Sequence, residues 1–145
     1  MKCPPSEKVE ARCSYFKNCG GCVFQDISYS QELFHKRERM RLLLQEAFPD
    51  IQIALSEVVP SPQEYHYRHR LDIGMRRTKE REMVFGFVNQ EGRRLVEIDS
   101  CAIARKEISD FLPQLKQEAI QKWPEDYRVA SLCVRVGDDR KVRWG

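Results

Sequence analysis

The stretch Tyr67-Arg68-His69-Arg70-Leu71-Asp72-Ile73-Gly74-Met75-Arg76 decides the fold. Tyr67, His69, Leu71, Ile73 and Met75 fall on one side of a two-residue repeat, and Arg68, Arg70, Asp72 and Arg76 on the other. That alternation predicts a strand with one apolar and one charged face. Two apolar runs follow, Met83 to Asn89 after a charged turn and Arg94 to Ile98 after Gln90-Glu91-Gly92, and such short connections predict an antiparallel meander. Val129 to Val136, the turn Gly137-Asp138-Asp139 and Lys141 to Trp144 predict a terminal hairpin.

Upstream, Ser28 with Gln31 three residues on reads as a capping box. Leu33, Met40, Leu43, Leu44 and Ala47 then recur at helical spacing up to Phe48 and Pro49. The other face of this helix carries His35, Lys36, Arg37, Arg39 and Arg41, a stripe that reads first as a solvated surface. Ile51 to Val59 predicts a strand broken by Pro60-Ser61-Pro62. Ile108, Phe111, Leu112, Leu115, Ala119 and Ile120 mark a second amphipathic helix, with Pro113 expected in its first turn and Pro124 at its end. The expected class is α+β: a small antiparallel β-sheet domain with two amphipathic helices and a cysteine-rich cluster-binding loop. The expected divisions are a loop over 1–27, a helix and strand over 28–63, and a β domain over 64–145.

A chain of 145 residues holds one core, and 41% hydrophobic with 32% charged residues excludes disordered and fibrous classes. No run approaches the roughly 18 apolar residues of a membrane span. Met1-Lys2-Cys3-Pro4-Pro5 lacks the apolar core of a secretory signal, so a cytoplasmic location away from membranes is expected. The net charge of +3 is too mild to announce a nucleic-acid partner by itself. Residues 66–81 are different: Arg68, Arg70, Arg76, Arg77, Lys79 and Arg81 stand against Asp72 and Glu80. Tyr65 and Tyr67 are available there for stacking. The plainer reading is a solvated edge strand that uses charge against aggregation.

Six cysteines without an export signal argue against a disulfide framework, because the cytosol keeps thiols reduced. Cys13, Cys19 and Cys22 form C-x5-C-x2-C, and Cys101 stands alone far downstream. Three clustered thiolates and a distant fourth suit zinc or an iron–sulfur cluster equally, provided the fold returns Cys101 to the loop. Gly20 and Gly21 suggest a backbone that needs positive φ and close approach to a cofactor. Cys133 alternates within a strand and Cys3 fits no ligand spacing.

The string Cys13-Ser14-Tyr15-Phe16-Lys17-Asn18-Cys19-Gly20-Gly21-Cys22, with Gln25, Tyr29, Leu33 and Lys36, resembles the S-adenosylmethionine-dependent RNA uracil-C5 methyltransferases. Ser61-Pro62, Tyr67-Arg68-His69-Arg70, Gly86-Phe87 and Ile98-Asp99-Ser100-Cys101 continue the likeness in order and approximate spacing, while Asp26 and Glu32 stand where the family usually has His and Gln. The resemblance implies a 4Fe-4S cluster on Cys13, Cys19, Cys22 and Cys101; because such a domain must hold RNA around an extruded uridine, the basic stretch is expected to contact it through Arg68, Arg70, Arg76 and Tyr67. It implies formation of 5-methyluridine, in 23S ribosomal RNA ahead of transfer RNA. It also places the catalytic groups and the S-adenosylmethionine site in a Rossmann-like domain beyond Gly145, so no catalytic residue is expected in this chain. The chain is accordingly expected to be a monomeric fragment, inactive alone, whose segment 28–63 packs on the catalytic domain. A free-standing zinc- or cluster-binding RNA adaptor is the alternative, and a small electron-transfer protein fits the basic strand face less well.

Overall fold

In the computed structural model, which describes residues 8–124 and 126–145, the order of elements is α1 (Tyr29–Ala47), β1 (Arg70–Arg77), β2 (Met83–Val88), β3 (Leu95–Glu97), α2 (Lys106–Lys122), β4 (Val129–Val136) and β5 (Val142–Trp144). Contacts divide these into two units. The first joins Phe24–Pro62 with the segment up to Ala11, and the second joins Arg12–Val23 with Gln63–Gly145. The expected 1–27 segment is therefore not one piece. Cys3 lies outside the described residues.

The second unit is an antiparallel sheet in the order β3-β2-β1-β4-β5. The meander and the terminal hairpin form as expected, and β4 joins them by pairing along the length of β1, from Arg70↔Arg135 to Arg76↔Val129. β1 is thus central, which removes the edge-strand reading of its arginines. Its alternation holds from Arg70: Leu71, Ile73 and Met75 are buried while Arg70, Asp72 and Arg76 are exposed. Tyr67 and His69 depart from the expected pattern, since both precede the strand and are exposed. One face of the sheet is covered by α2, whose Ile108, Leu112, Leu115 and Ala119 are buried in a core with Leu71, Ile73, Met75, Phe85 and Val134. At about 2 kcal/mol for each fully buried aliphatic chain, this layer is the main source of stability.

Pro113 lies in the interior of α2, not in its first turn. Such a proline removes one helical hydrogen bond at a cost of about 3 kcal/mol. Burial of Leu112 and Leu115 on either side offsets that cost, and the proline itself faces solvent. At the far end, Trp144 of β5 donates from Nε1 to Glu118 at 3.0 Å, fastening the hairpin to α2.

In the first unit, Ser28 stands at the N-cap of α1, yet the capping box does not form: its hydroxyl lies 3.1 Å from that of Ser30, and no side chain caps the helix. The expected strand at Ile51–Val59 is irregular chain. No partner strand lies beside it among the described residues, and the Arg37 guanidinium instead donates to the carbonyls of Leu55 and Ser56 at 2.9 and 3.2 Å. The cationic stripe is largely consumed locally, through Lys36 to Glu32 and Arg41 to Glu38. On the apolar side of α1, Met40 and Leu43 remain half exposed.

The loop 12–23 consists of turns tied to the sheet. Gly20 donates its N–H to the Val88 carbonyl at 2.9 Å, and Cys19 bridges Asn89. A Cβ at Gly20 would meet the Val88 carbonyl oxygen at 2.9 Å, so the close approach is real, although Lys17 and neither Gly20 nor Gly21 takes the positive φ. The Tyr15 hydroxyl donates to Asp99 Oδ1 at 2.5 Å, joining the loop to the chain that follows β3.

Two outcomes follow from this packing. A Cβ at Gly86 would fall 1.8 Å from the Val96 carbonyl oxygen, at the end of the β2–β3 pairing where Gly86 faces Glu97. Gly86→Ala should therefore destabilise the chain by about 3 kcal/mol, read as a lower urea midpoint. The second concerns the Tyr15–Asp99 bond, which lowers the Asp99 carboxyl pKa and, as its leading effect on the tyrosine, raises that of Tyr15. Its contribution is present above the unfolded carboxyl value and is lost as pH falls through the lowered Asp99 value. On the alkaline side it is full below the ordinary tyrosine value of about 10 and is lost as pH rises through the raised one. Exchange protection of the loop, corrected for intrinsic rates, should fall at both ends in the wild type. Tyr15→Phe should lower it at neutral pH and abolish both dependences.

Candidate cluster-binding loop and nucleic-acid interface

Cys13, Cys19, Cys22 and Cys101 all belong to the second unit and are all partly buried. The three loop cysteines are carried by turns in which Phe16 and Cys19 donate their N–H groups to the carbonyls of Cys13 and Tyr15. Cys101 sits just ahead of α2, where its N–H donates to the Ser109 hydroxyl at 3.0 Å. Burial pushes the Cys101 thiol pKa up, and the neighbouring Cys22 and Cys13 push it further, while the N–H groups of Ala104 and Ile103 act in the opposite sense. Three of the four thiols are thus electrostatic neighbours. The Cys19 sulfur accepts the Gly21 N–H at 3.4 Å. As the side chains stand, no three His, Cys, Asp or Glu residues among the described residues form a group that could hold a metal ion. Cys133 is an ordinary residue of β4, its sulfur 3.3 Å from Arg135 Nε.

The sheet face opposite α2 carries the charged side of β1. Arg70 grips Asp72 with Nε and Nη2, at 3.0 and 2.5 Å, which raises the arginine and lowers the carboxyl pKa. Both side chains are about half exposed, at 52% and 53%, so water screens the pair and it can open at small cost. Arg68 lies before the strand; its N–H donates to the Ile103 carbonyl and its own carbonyl accepts from Arg105. Arg76 is exposed near the other end of β1. Tyr67, 46% exposed, keeps a ring surface in solvent. Arg68, Arg70 and Arg76 are therefore not one patch but are spread from the approach to β1 to its far end.

Sheet register adds residues that sequence reasoning missed. Arg135 lies opposite Arg70, and Arg143 opposite Arg135, so three arginines cross β1, β4 and β5 in one row. Arg143 is held by Asp139 at 2.6 Å, which lowers that carboxyl to about 2. Nothing in the local sequence marks the row, because it depends on which strands become neighbours.

No protein-family model matches the chain. Among curated proteins, it is 33% identical over 114 residues to the 23S rRNA (uracil(1939)-C(5))-methyltransferase RlmD of Vibrio vulnificus (strain YJ016), which covers 78% of this chain and 26% of that protein. It is 28% identical over 131 residues to the tRNA (uracil(54)-C(5))-methyltransferase of Schizosaccharomyces pombe, covering 86% of this chain and 25% of the relative. Among solved structures, the Pyrococcus abyssi tRNA (uracil-54, C5)-methyltransferase in complex with S-adenosyl-L-homocysteine superposes with a TM-score of 0.57 at 25% identity, over 86% of this chain and 30% of that one. The chain spans about a quarter of the length of the curated relatives it matches. In sequence and in fold it is homologous to the RNA uracil-C5 methyltransferases, and it corresponds to a part of those proteins.

Proposed function

We propose that this chain is the iron–sulfur-binding, RNA-contacting part of an S-adenosylmethionine-dependent RNA (uracil-C5)-methyltransferase that forms 5-methyluridine, in 23S ribosomal RNA ahead of transfer RNA. The observation that supports this reading is the Tyr15–Asp99 bond, which draws the loop of Cys13, Cys19 and Cys22, from across three strands, to the segment that carries Cys101. A single tetrahedral zinc would need four sulfurs about 2.3 Å from one point. A four-iron cluster offers each thiolate its own iron, so its ligands surround a box and need not meet at a point. The N–H groups of Ile103 and Ala104 beside the Cys101 sulfur are donors of the kind that tune such clusters.

The methyl-transfer chemistry falls to parts of the longer relatives with which this chain does not align. C5 of a stacked uridine is out of reach, so the nucleotide must leave the stack while the flanking strand is held. Arg68, Arg70 and Arg76, with Tyr67 for stacking, supply that hold; Arg135 and Arg143 extend it. The half-exposed Met40 and Leu43 of α1 are suited to packing against the catalytic domain. An adaptor without catalysis is disfavoured, since the relatives named above are methyltransferases on ribosomal or transfer RNA.

Anaerobically purified protein should show a broad brown absorbance with about four irons per chain. Cys101→Ser should remove it and raise hydrogen exchange in residues 12–23; stoichiometric zinc without iron would refute the cluster. For the RNA face, Arg68→Ala combined with Arg70→Ala should lower the log–log salt slope for single-stranded RNA by about 1.4, at roughly 0.7 per phosphate contact. An unchanged slope would remove these arginines from the interface.

A further inference from the structure

A second group of basic residues lies in the same unit. Segment 66–68 runs beside 102–105: His66 N–H donates to Ala102, Arg68 N–H to Ile103, and Arg105 N–H to Arg68. Their junction with the start of the cysteine loop leaves an open cleft of about 710 Å³, lined by Arg12, Tyr65, His66, Arg105, Lys106 and Arg140. Glu64 and Glu107 are its carboxylates. Glu107 is taken by Arg105 at 3.0 Å, which lowers its pKa to about 2. Arg12, Lys106 and Arg140 form no ion pair with a carboxylate among the described residues.

The arginine beside the cysteine loop is held in place. The Arg12 guanidinium lies 5.0 Å from the centre of the Tyr65 ring, and its Nη2 is 3.3 Å from His66 Nε2. His66 Nδ1 is 2.9 Å from the Ala104 carbonyl, which can only accept; the proton therefore sits on Nδ1, and Nε2 accepts from Arg12. His66 adopts this pose with a φ of 58°, a left-handed backbone costing on the order of 1 kcal/mol or more. A stacked guanidinium loses little further freedom when it binds and offers a planar fork matched to two oxygens of a phosphate.

We propose that this cleft binds backbone phosphates of the substrate RNA strand, with Arg12 and Arg140 as the contacting cations, Lys106 as a mobile third charge, and His66 as the residue that positions Arg12. The assignment rests on the RNA-contacting role given above and adds to it residues other than Arg68, Arg70 and Arg76.

The test uses the full 145-residue chain and a ten-nucleotide oligouridylate, titrated at several salt concentrations. Arg12→Ala with Arg140→Ala should lower the log–log slope by about 1.4 and weaken binding about 25-fold at 0.1 M salt, which is that slope taken over one decade from 1 M. His66→Ala should weaken binding in the wild-type Arg12 background and add nothing once Arg12 is replaced. If Arg12→Ala proves unfolded by circular dichroism, Arg140→Gln, in an exposed turn, should still lower the slope by about 0.7. Wild-type affinity and slope in the folded double variant, alongside a loss in Arg68→Ala/Arg70→Ala, would overturn the cleft and leave the RNA-contacting role standing. No binding of oligouridylate by the wild-type chain at low salt would overturn both.

Discussion

Burial of Leu71, Ile73 and Met75 under α2 is the constraint from which the rest of the second unit follows. It fixes β1 in the centre of the sheet with its charged side turned to the opposite face. It also fixes where α2 begins, and Cys101 stands only a few residues ahead of that helix. A side chain chemically unrelated to the core is thereby placed by it. A thiol at the end of a free loop would gain no such address.

The cysteine loop is positioned by polar contacts of a different kind. Gly20 approaches β2 so closely that a methyl group would strike the Val88 carbonyl, and Tyr15 reaches Asp99 across most of the sequence. These bonds hold Cys13 and Cys22 near Cys101 without an apolar core of their own. The loop is thus organised by its backbone and by one tyrosine, and a bound cluster would add to an arrangement already begun. Structural metals and clusters commonly share folding energy with their ligand loops in this way.

The charges are organised on the same principle of borrowed position. Arg70, Arg135 and Arg143 form a row because three strands are neighbours, and Arg12, Arg105 and Arg140 share a cleft because segment 66–68 lies along 102–105. The mild net charge conceals both groups. Most carboxylates near them are engaged by a specific arginine, Asp72 by Arg70, Glu107 by Arg105 and Asp139 by Arg143. Exposed pairs of this sort contribute little to stability and yield readily to a more highly charged partner.

By itself the sequence determined whatever depends on near neighbours along the chain: the alternation of β1, the meander, the terminal hairpin, the extent of β4 and the two helices. It also raised the expectation, through spacing and resemblance, that Cys13, Cys19, Cys22 and Cys101 act together. Local pattern misled where a long-range partner decides the outcome. Ile51–Val59 has the composition of a strand, but Arg37 takes two of its carbonyls; Ser28 begins α1 without capping it; Pro113 is tolerated inside α2 because Leu112 and Leu115 are buried. Only the tertiary structure paired β4 with β1 and so aligned the row of arginines, packed α2 on the sheet and so placed Cys101, and laid 66–68 along 102–105 to open the cleft around Arg12. Register and segment adjacency are properties of residues far apart in sequence, selected by which faces can be buried together, and no periodicity within a single segment contains them.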